Sequence, residues 1–345
     1  MKRMLLEIFW ALATIIMCGA LSGAQSKSSV DLQEVLKWFP ADTDAINVAN
    51  GPFPLSGIRT AKDETESSES DEIVGDAQLV QVFATPAITL WTKSNTVIGR
   101  RLRGEFVLLA VQGFRIVTRE HATQHCTILL FKRDSIDDKL LTPAAGPAPV
   151  PEDIDGRGFV VFEDTPLDPG PPSLIVAHPR PNVLLISDSL NYLRLVLDRI
   201  RGASDQALSE TLADRRYVDT HARFWGVYHF RPADLSENEG TEDGAFARQL
   251  TSIGYSFDPG SRVARMAFFS NDHNLYQEMR SDNERDAANE VERHVVPVIT
   301  EIAPGVVEMS AFLDDWYDTA DFVTAMGLFV PGFEVNWFEW VPALD

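Results

Sequence analysis

The chain has little cysteine, little positive charge and, beyond its first two dozen residues, no long apolar run. Its two cysteines are Cys18 and Cys126. Cys18 lies in an N-terminal leader-like stretch, so the body of the chain has a single thiol and no internal disulfide to staple it. Thirty Lys and Arg stand against 51 Asp and Glu, a formal net charge of -21. A surface this acidic repels a phosphate backbone, which excludes nucleic acid as a natural partner, and it is repelled by anionic membrane surfaces. After residue 24 the longest apolar candidate, FVLLAVQGF, is strand-sized, whereas a spanning helix needs about 20 apolar residues. No transmembrane segment is therefore expected after the leader. G-x-S-x-G, H-E-x-x-H, a Walker P-loop and C-x-x-C are all missing, and so is any motif that implies a cofactor.

What is present begins with MKRMLLEIFWALATIIMCGALSGAQS. Lys2 and Arg3 precede an apolar stretch broken only by Glu7, and Ser22-Gly23-Ala24 offers small residues at the positions a signal peptidase reads. This pattern predicts a signal peptide over residues 1–24, with the exported chain starting at Gln25. Met17 stands before Cys18 where lipidation wants a small residue, so a lipid anchor is disfavoured. The expected location is periplasmic or extracellular, soluble or peripherally attached.

Two stretches read as loops. AKDETESSESDE, residues 61–72, is acidic, serine-rich and without apolar periodicity. Residues 134–172 are proline-rich, with one short strand, GFVVFE, between the proline clusters. Elsewhere helices and strands alternate. SVDLQEVLKWF puts Leu32, Val35, Leu36 and Phe39 on one helical face, with Asp31 and Glu34 in capping-box spacing. SLNYLRLVLDRIRG reads as a helix with a basic end and a terminating glycine. LTSIGYSFDPGSRVARMAFFS reads as two strands around a DPGS turn. ANEVERHVVPVITEI places Ala288, Val291, Val295, Val298 and Ile302 on a helical stripe kinked at Pro297.

Two segments echo one another. FPADTDAINVAN and YVDTHARFWGVY both run from an aromatic through Asp-Thr-x-Ala into a strand: Asp42, Thr43 and Ala45 against Asp219, Thr220 and Ala222. VLLISDSLNYL and MAFFSNDHNLY form a second pair. These echoes predict an α+β fold in two related halves, mostly antiparallel sheet with helices packed on one face. The halves would span residues 25–202 and 203–345. The Asp-Thr segments are expected to be helix-to-strand corners, with Asp and Thr bonding nearby backbone groups.

A helix running into W-F-P-A-D-T and a strand, shortly after a signal peptide, resembles the opening of uncharacterised bacterial exported proteins with an "LPADT"-like start and a domain of unknown function. The likeness covers residues 36–50, with an echo at 217–229, and Phe39 stands where those proteins have leucine. It implies a bacterial envelope protein and no particular activity.

Four groups of residues have side chains suited to chemistry. His121 and His125 in HATQHC could chelate a metal from one helical face. Their flanks have strand composition, and residues four apart in an extended chain lie about 13 Å apart. One zinc ion, with ligands about 2 Å away, cannot bridge that distance. The expected reading is a strand connection with Cys126 buried. Asp314, Asp315 and Asp318 spell DDxxD, but Trp316, Ala320, Val323 and Met326 follow at helical spacing, so these acids read as first-turn caps rather than metal ligands. Asp219 and His221 could support acid–base catalysis, although no nucleophile motif accompanies them. Phe333, Trp337, Phe338 and Trp340 could form an exposed stacking surface or a buried terminal strand; the alternation of Phe333, Val335 and Trp337 favours burial. The function expected from sequence is an exported envelope protein that binds or scaffolds an envelope or extracellular partner, without catalysis. The alternative is an exported hydrolase with its site near Asp219 and His221.

Overall fold

The computed structural model describes residues 31–54, 83–84, 87–88, 102, 105–117, 122–132, 152–153, 160–164, 174–202, 214–229, 249–272, 274–288 and 297–313. The leader at residues 1–24, the acidic loop at 61–72, His121, the acids Asp314, Asp315 and Asp318, and the aromatics Phe333, Trp337, Phe338 and Trp340 lie outside these residues.

The described strands are β1 (Ala45–Pro54), β2 (Phe106–Val117), β3 (Ala122–Phe131), β4 (Glu152–Asp153), β5 (Val160–Asp164), β6 (Leu174–Arg180), β7 (Val183–Ser187), β8 (Phe224–His229), β9 (Leu250–Asp258), β10 (Val263–Ser270), β11 (Val298–Ala303) and β12 (Val306–Phe312). They form one twelve-stranded sheet in the order β11-β12-β10-β9-β8-β1-β2-β3-β7-β6-β5-β4, and every pairing in it is antiparallel. The described α-helices are α1 (Leu32–Leu36), α2 (Leu190–Ile200) and α3 (Leu275–Ala288). A 3-10 turn covers Asp214–Tyr217.

This overturns the expected α+β fold with helices packed on one face. The protein is a single, predominantly β, antiparallel sheet, and its few helices lie on both sides of it. Strand alternation explains why. One face of the sheet carries Ile46, Val48, Val111, Cys126, Ile128, Leu185 and Trp225, which pack with Val35 and Leu36 of α1 and with Tyr192, Leu193, Val196 and Leu197 of α2. The opposite face carries Ala49, Ala110, Leu129, Phe224, Phe257 and Met266, and there Leu275 of α3 joins Phe83, Ala87 and Ile88. A sheet that is apolar on both faces needs cover on both.

Strands β1 and β8 join two wings. The wing running outward from β1 reads β1-β2-β3-β7-β6, then β5-β4; the wing from β8 reads β8-β9-β10-β12-β11. In each, three consecutive strands are followed by a last pair in which the later strand lies inside. Val48 pairs with Trp225, which stands 177 residues on (225 − 48). Asp42 and Asp219 have the same spacing (219 − 42). The second echo does not hold: VLLIS is β7, the last strand of its wing, whereas MAFFS lies in β10, the third of its own. The expected helix over ANEVERHVVPVITEI is also corrected, because residues Val298–Ala303 form the edge strand β11.

Local signals place the elements around the first corner. Asp31 caps α1, accepting from Gln33 N. Ser189 caps α2 by accepting from Tyr192 N, and Gly202 follows that helix with φ +81, a conformation open to glycine. Arg180 binds Glu34 at 2.8 Å and lies over the Trp38 ring, fastening α1 to β6.

Candidate functional site

The two Asp-Thr corners are built alike and finish differently. Each is seated by an apolar residue lying over a glycine on the second strand of its wing. Phe39 fills the space beside Gly113, where a Cβ would sit 2.4 Å from the ring. Val218 fills the space beside Gly254, where a Cβ would sit 2.3 Å from its methyl. At the first corner Asp42 pairs with Arg115 at 2.7 Å. Thr43 and Tyr192 share a buried hydrogen bond of 2.9 Å. Asp44, buried, accepts from Ile116 N at 2.7 Å. Helices α1 and α2 pack on the sheet beside this corner, while Asp42 itself stays exposed.

At the second corner no described helix covers the sheet. The 3-10 turn is held by Asp214, which accepts from Ser252 Oγ. Asp219 Oδ1 accepts from His221 N at 3.1 Å, and Ala222 N donates to Asp219 O. This is the local capping that Asp at a corner supplies. Asp219 Oδ2 lies 3.7 Å from Arg265 Nη1. Between this corner and the β9–β10 turn opens a cavity of about 330 Å³, lined by Asp219, His221, Ser256, Asp258, Ser261 and Arg265 among others. The structure thus brings Asp219 and His221 together with two hydroxyls, a second carboxylate and a guanidinium. Sequence reading had not joined Ser256, Asp258, Ser261 and Arg265 to them. The available signal was alternation: Ser256 and Asp258 on β9, and Val263 and Arg265 on β10, share one face across the turn.

Among the described residues no hydrogen bond joins the His221 ring to Ser256 or Ser261, the contact a nucleophile and its base need. Asp219 spends one oxygen on backbone and sets the other near Arg265. Asp258 caps its own turn, accepting from Gly260 N, while its backbone oxygen accepts from Ser261 N and Arg262 N.

HATQHC is extended from Ala122 onward, within β3. His125 is held by Asp188, which takes its N–H at 2.8 Å and its Nδ1 at 2.7 Å. Cys126 is fully buried, and burial, with Asp188 nearby, pushes its thiol far above its usual range. Among the described residues no three His, Cys, Asp or Glu side chains gather as a metal ion requires. No described helix is long and apolar enough to cross a membrane.

No family model matches this chain. No curated protein matches it either. Two solved structures are similar in outline. Crystal form I of TP0453 has 8% identity and a TM-score of 0.40, covering 88% of this chain and 100% of that one. Crystal form III has 9% identity and a TM-score of 0.42, covering 87% and 100%. Likeness at that level transfers no role to these residues.

Proposed function

We propose that this is an exported, non-catalytic binding protein of the bacterial envelope, with the open cavity at the Asp219 corner as its small-molecule site. The observation that carries this is the cavity's chemistry. Arg265 offers a cation, Asp219 and Asp258 offer acceptors, and Ser256 and Ser261 offer hydroxyls, while no nucleophile is paired with a base. Such a lining fits a polar ligand bearing both an anionic group and hydrogen-bond donors. The basic start, apolar stretch and Ser22-Gly23-Ala24 support export.

The hydrolase reading keeps one supporting observation: Asp219, His221 and two serines line the same cavity. A single pair of measurements separates the two. Zwitterionic and anionic metabolites are scanned for an upward shift in melting temperature, and ester, peptide, glycoside and phosphoester substrates are scanned for turnover. The binding reading expects a ligand shift that Arg265→Ala removes, and no turnover. Turnover lost in His221→Ala replaces it with the hydrolase. N-terminal sequencing of exported material is expected to begin at Gln25.

A further inference from the structure

Open apolar side chains lie beside the Asp219 cavity, on the same face of the sheet. Antiparallel strands bring residues in register to one face. Asp258 on β9 pairs with Val263 on β10, and Val263 pairs with Phe312 on β12. The next row reads Ser256, Arg265, Ser310 and, on β11, Val298. Val263 lines the cavity. Phe312 and Val298 stand beyond the lining and are 55% and 62% exposed. Strand β12 is interior to the sheet, yet more than half of the Phe312 side chain meets solvent. The polar lining therefore continues into a strip of open apolar surface, the pattern that marks binding sites rather than scattered exposure.

The polar groups keep bonding capacity in hand. Ser256 is 4% exposed and lines the cavity, and its hydroxyl has no hydrogen-bond partner among the described residues. A buried hydroxyl normally has one. Arg265 Nη1 stands 3.7 Å from Asp219 Oδ2, too far for a hydrogen bond, so its guanidinium keeps donors for a carboxylate. Asp219 Oδ1 accepts from His221 N, which leaves Oδ2 facing the cavity side of Arg265. Asp258 Oδ1 accepts from Gly260 N, and its Oδ2 has no hydrogen bond among the described residues.

The charges select the ligand. An anion alone would meet Arg265 but also two carboxylates, and a cation alone would meet the guanidinium. A molecule carrying both charges satisfies both sides. The opposite charges of Asp219 and Arg265 are 3.7 Å apart, so those of the ligand must be close together too. An α-amino acid holds its ammonium and carboxylate on one carbon. A peptide moves them apart by roughly 3.3–3.6 Å for each further residue. The cavity of about 330 Å³ lies at the small end of ligand pockets, which run from about 300 to 1,000 Å³.

We propose that the cavity takes a free α-amino acid with an apolar side chain. Arg265 and Ser256 receive its carboxylate, Asp219 and Asp258 its ammonium, and Val263 and Phe312 its side chain. The assignment rests on the reading of this cavity as a small-molecule site.

The test is calorimetric titration of the full chain with L-phenylalanine and three analogues. 3-Phenylpropionate lacks the ammonium, 2-phenylethylamine lacks the carboxylate, and glycine lacks the side chain. L-Phenylalanine is expected to bind saturably at a single site per chain. Each analogue should bind about tenfold more weakly or worse, the scale of one lost charge-assisted hydrogen bond or one unburied ring. Ser256→Ala and Phe312→Ser should each weaken L-phenylalanine severalfold. Asp219→Asn, which keeps an acceptor for His221 N, should weaken L-phenylalanine and leave 3-phenylpropionate no weaker. Melting curves identify variants that have folded, and Phe312→Ser, at an exposed position, decides the matter if Ser256→Ala has not. If 3-phenylpropionate binds as tightly as L-phenylalanine and Arg265→Ala abolishes both, the amino-acid assignment is overturned while the cavity remains a small-molecule site. L-Phenylalanine binding that Arg265→Ala and Phe312→Ser leave unchanged also overturns it. So does the absence of saturable L-phenylalanine binding; if, in addition, no anionic or zwitterionic metabolite gives an Arg265-dependent shift in melting temperature, the small-molecule reading of the cavity falls with it.

Discussion

The wings of the sheet share a strand order and a corner design, yet one is closed and the other open. Beside Asp42 two helices, a buried Thr43–Tyr192 hydrogen bond and the Asp42–Arg115 pair cover the sheet, though Asp42 itself is exposed. Around Asp219 the matching residues are left beside a cavity, and position 221 is an exposed histidine where the first corner has the buried Asp44. Both corners share one seat, an apolar side chain over a glycine. What differs between the wings is His221, Arg265 and the absence of a described helix above them, which leaves the second corner beside an open cavity.

The largest expected effect breaks the likeness at the seats. Gly113→Ala drives a methyl into the wholly buried Phe39 ring and within 2.8 Å of the Tyr192 hydroxyl. Gly254→Ala meets a single Val218 methyl that can turn aside. Overpacking of this kind costs about 1–3 kcal/mol and occasionally more. Gly113→Ala should fall at the upper end and Gly254→Ala at the lower, as read by urea unfolding. Phe39→Ala, which empties the first seat, should cost about 3–5 kcal/mol. Equal losses at the two glycines would mean that the seats are not what distinguishes the wings.

Asp188→Ala comes next. It strips the His125 backbone and ring of their acceptor, a loss of about 1–3 kcal/mol for a half-buried network. Asp188→Asn, which keeps one acceptor oxygen, should recover part of it.

Alkaline pH probes both wings, because burial raises Tyr255 on β9 as it raises Cys126 and Tyr192 in the first wing. Burial raises the thiol and, with Cys126 beside it, the Tyr192 phenol. The folded protein therefore keeps protons that the unfolded chain gives up, from near pH 9.0 for the thiol and 10.0 for the phenol. Above those values the unfolded state binds fewer protons, so stability is intact below about pH 9 and falls as pH rises. Urea midpoints between pH 8 and 11 should decline, and Cys126→Ala should make the decline shallower. A flat profile would contradict it.

The smallest effects are at the aspartates. Asp42 is 57% exposed and pairs with Arg115, so Asp42→Ala should cost about 0–1 kcal/mol. Asp219→Ala removes a backbone cap and should cost about 0.5–2 kcal/mol. Loss of turnover with unchanged melting temperature in Asp219→Ala would move the second corner from scaffold to catalyst.

Much of this was legible where chemistry is local. The Ser189 cap and Gly202 stop bound α2, the DPGS turn joins β9 to β10, the run from Ala122 lies extended, and Cys126 is buried. The misreadings came from periodicity without context. Val298 and Ile302 fit a helical stripe because an edge strand with exposed apolar residues has no clean period of two. The fold class failed for a related reason: strands buried on both faces and helices laid over either face give the same alternating list of elements as a one-sided α+β layer. The Asp219 cavity was out of reach because it joins a corner before β8 to the far ends of β9 and β10, and strand alternation around the DPGS turn was its trace.

The pairing of β1 with β8 also has a consequence in time. The chain is made from its N-terminus, and 175 residues separate the end of β1 at Pro54 from the end of β8 at His229 (229 − 54). At about 5–20 residues per second, roughly 10–35 s pass between the synthesis of one and the other. Throughout that interval the inner edge of β1, destined for the middle of a twelve-stranded sheet, has no partner strand and shows its open backbone to whatever is nearby. A central seam of the finished sheet is an open edge of the growing chain, so slowing the delivery of residues 55–229 should raise aggregation more than slowing anything after them.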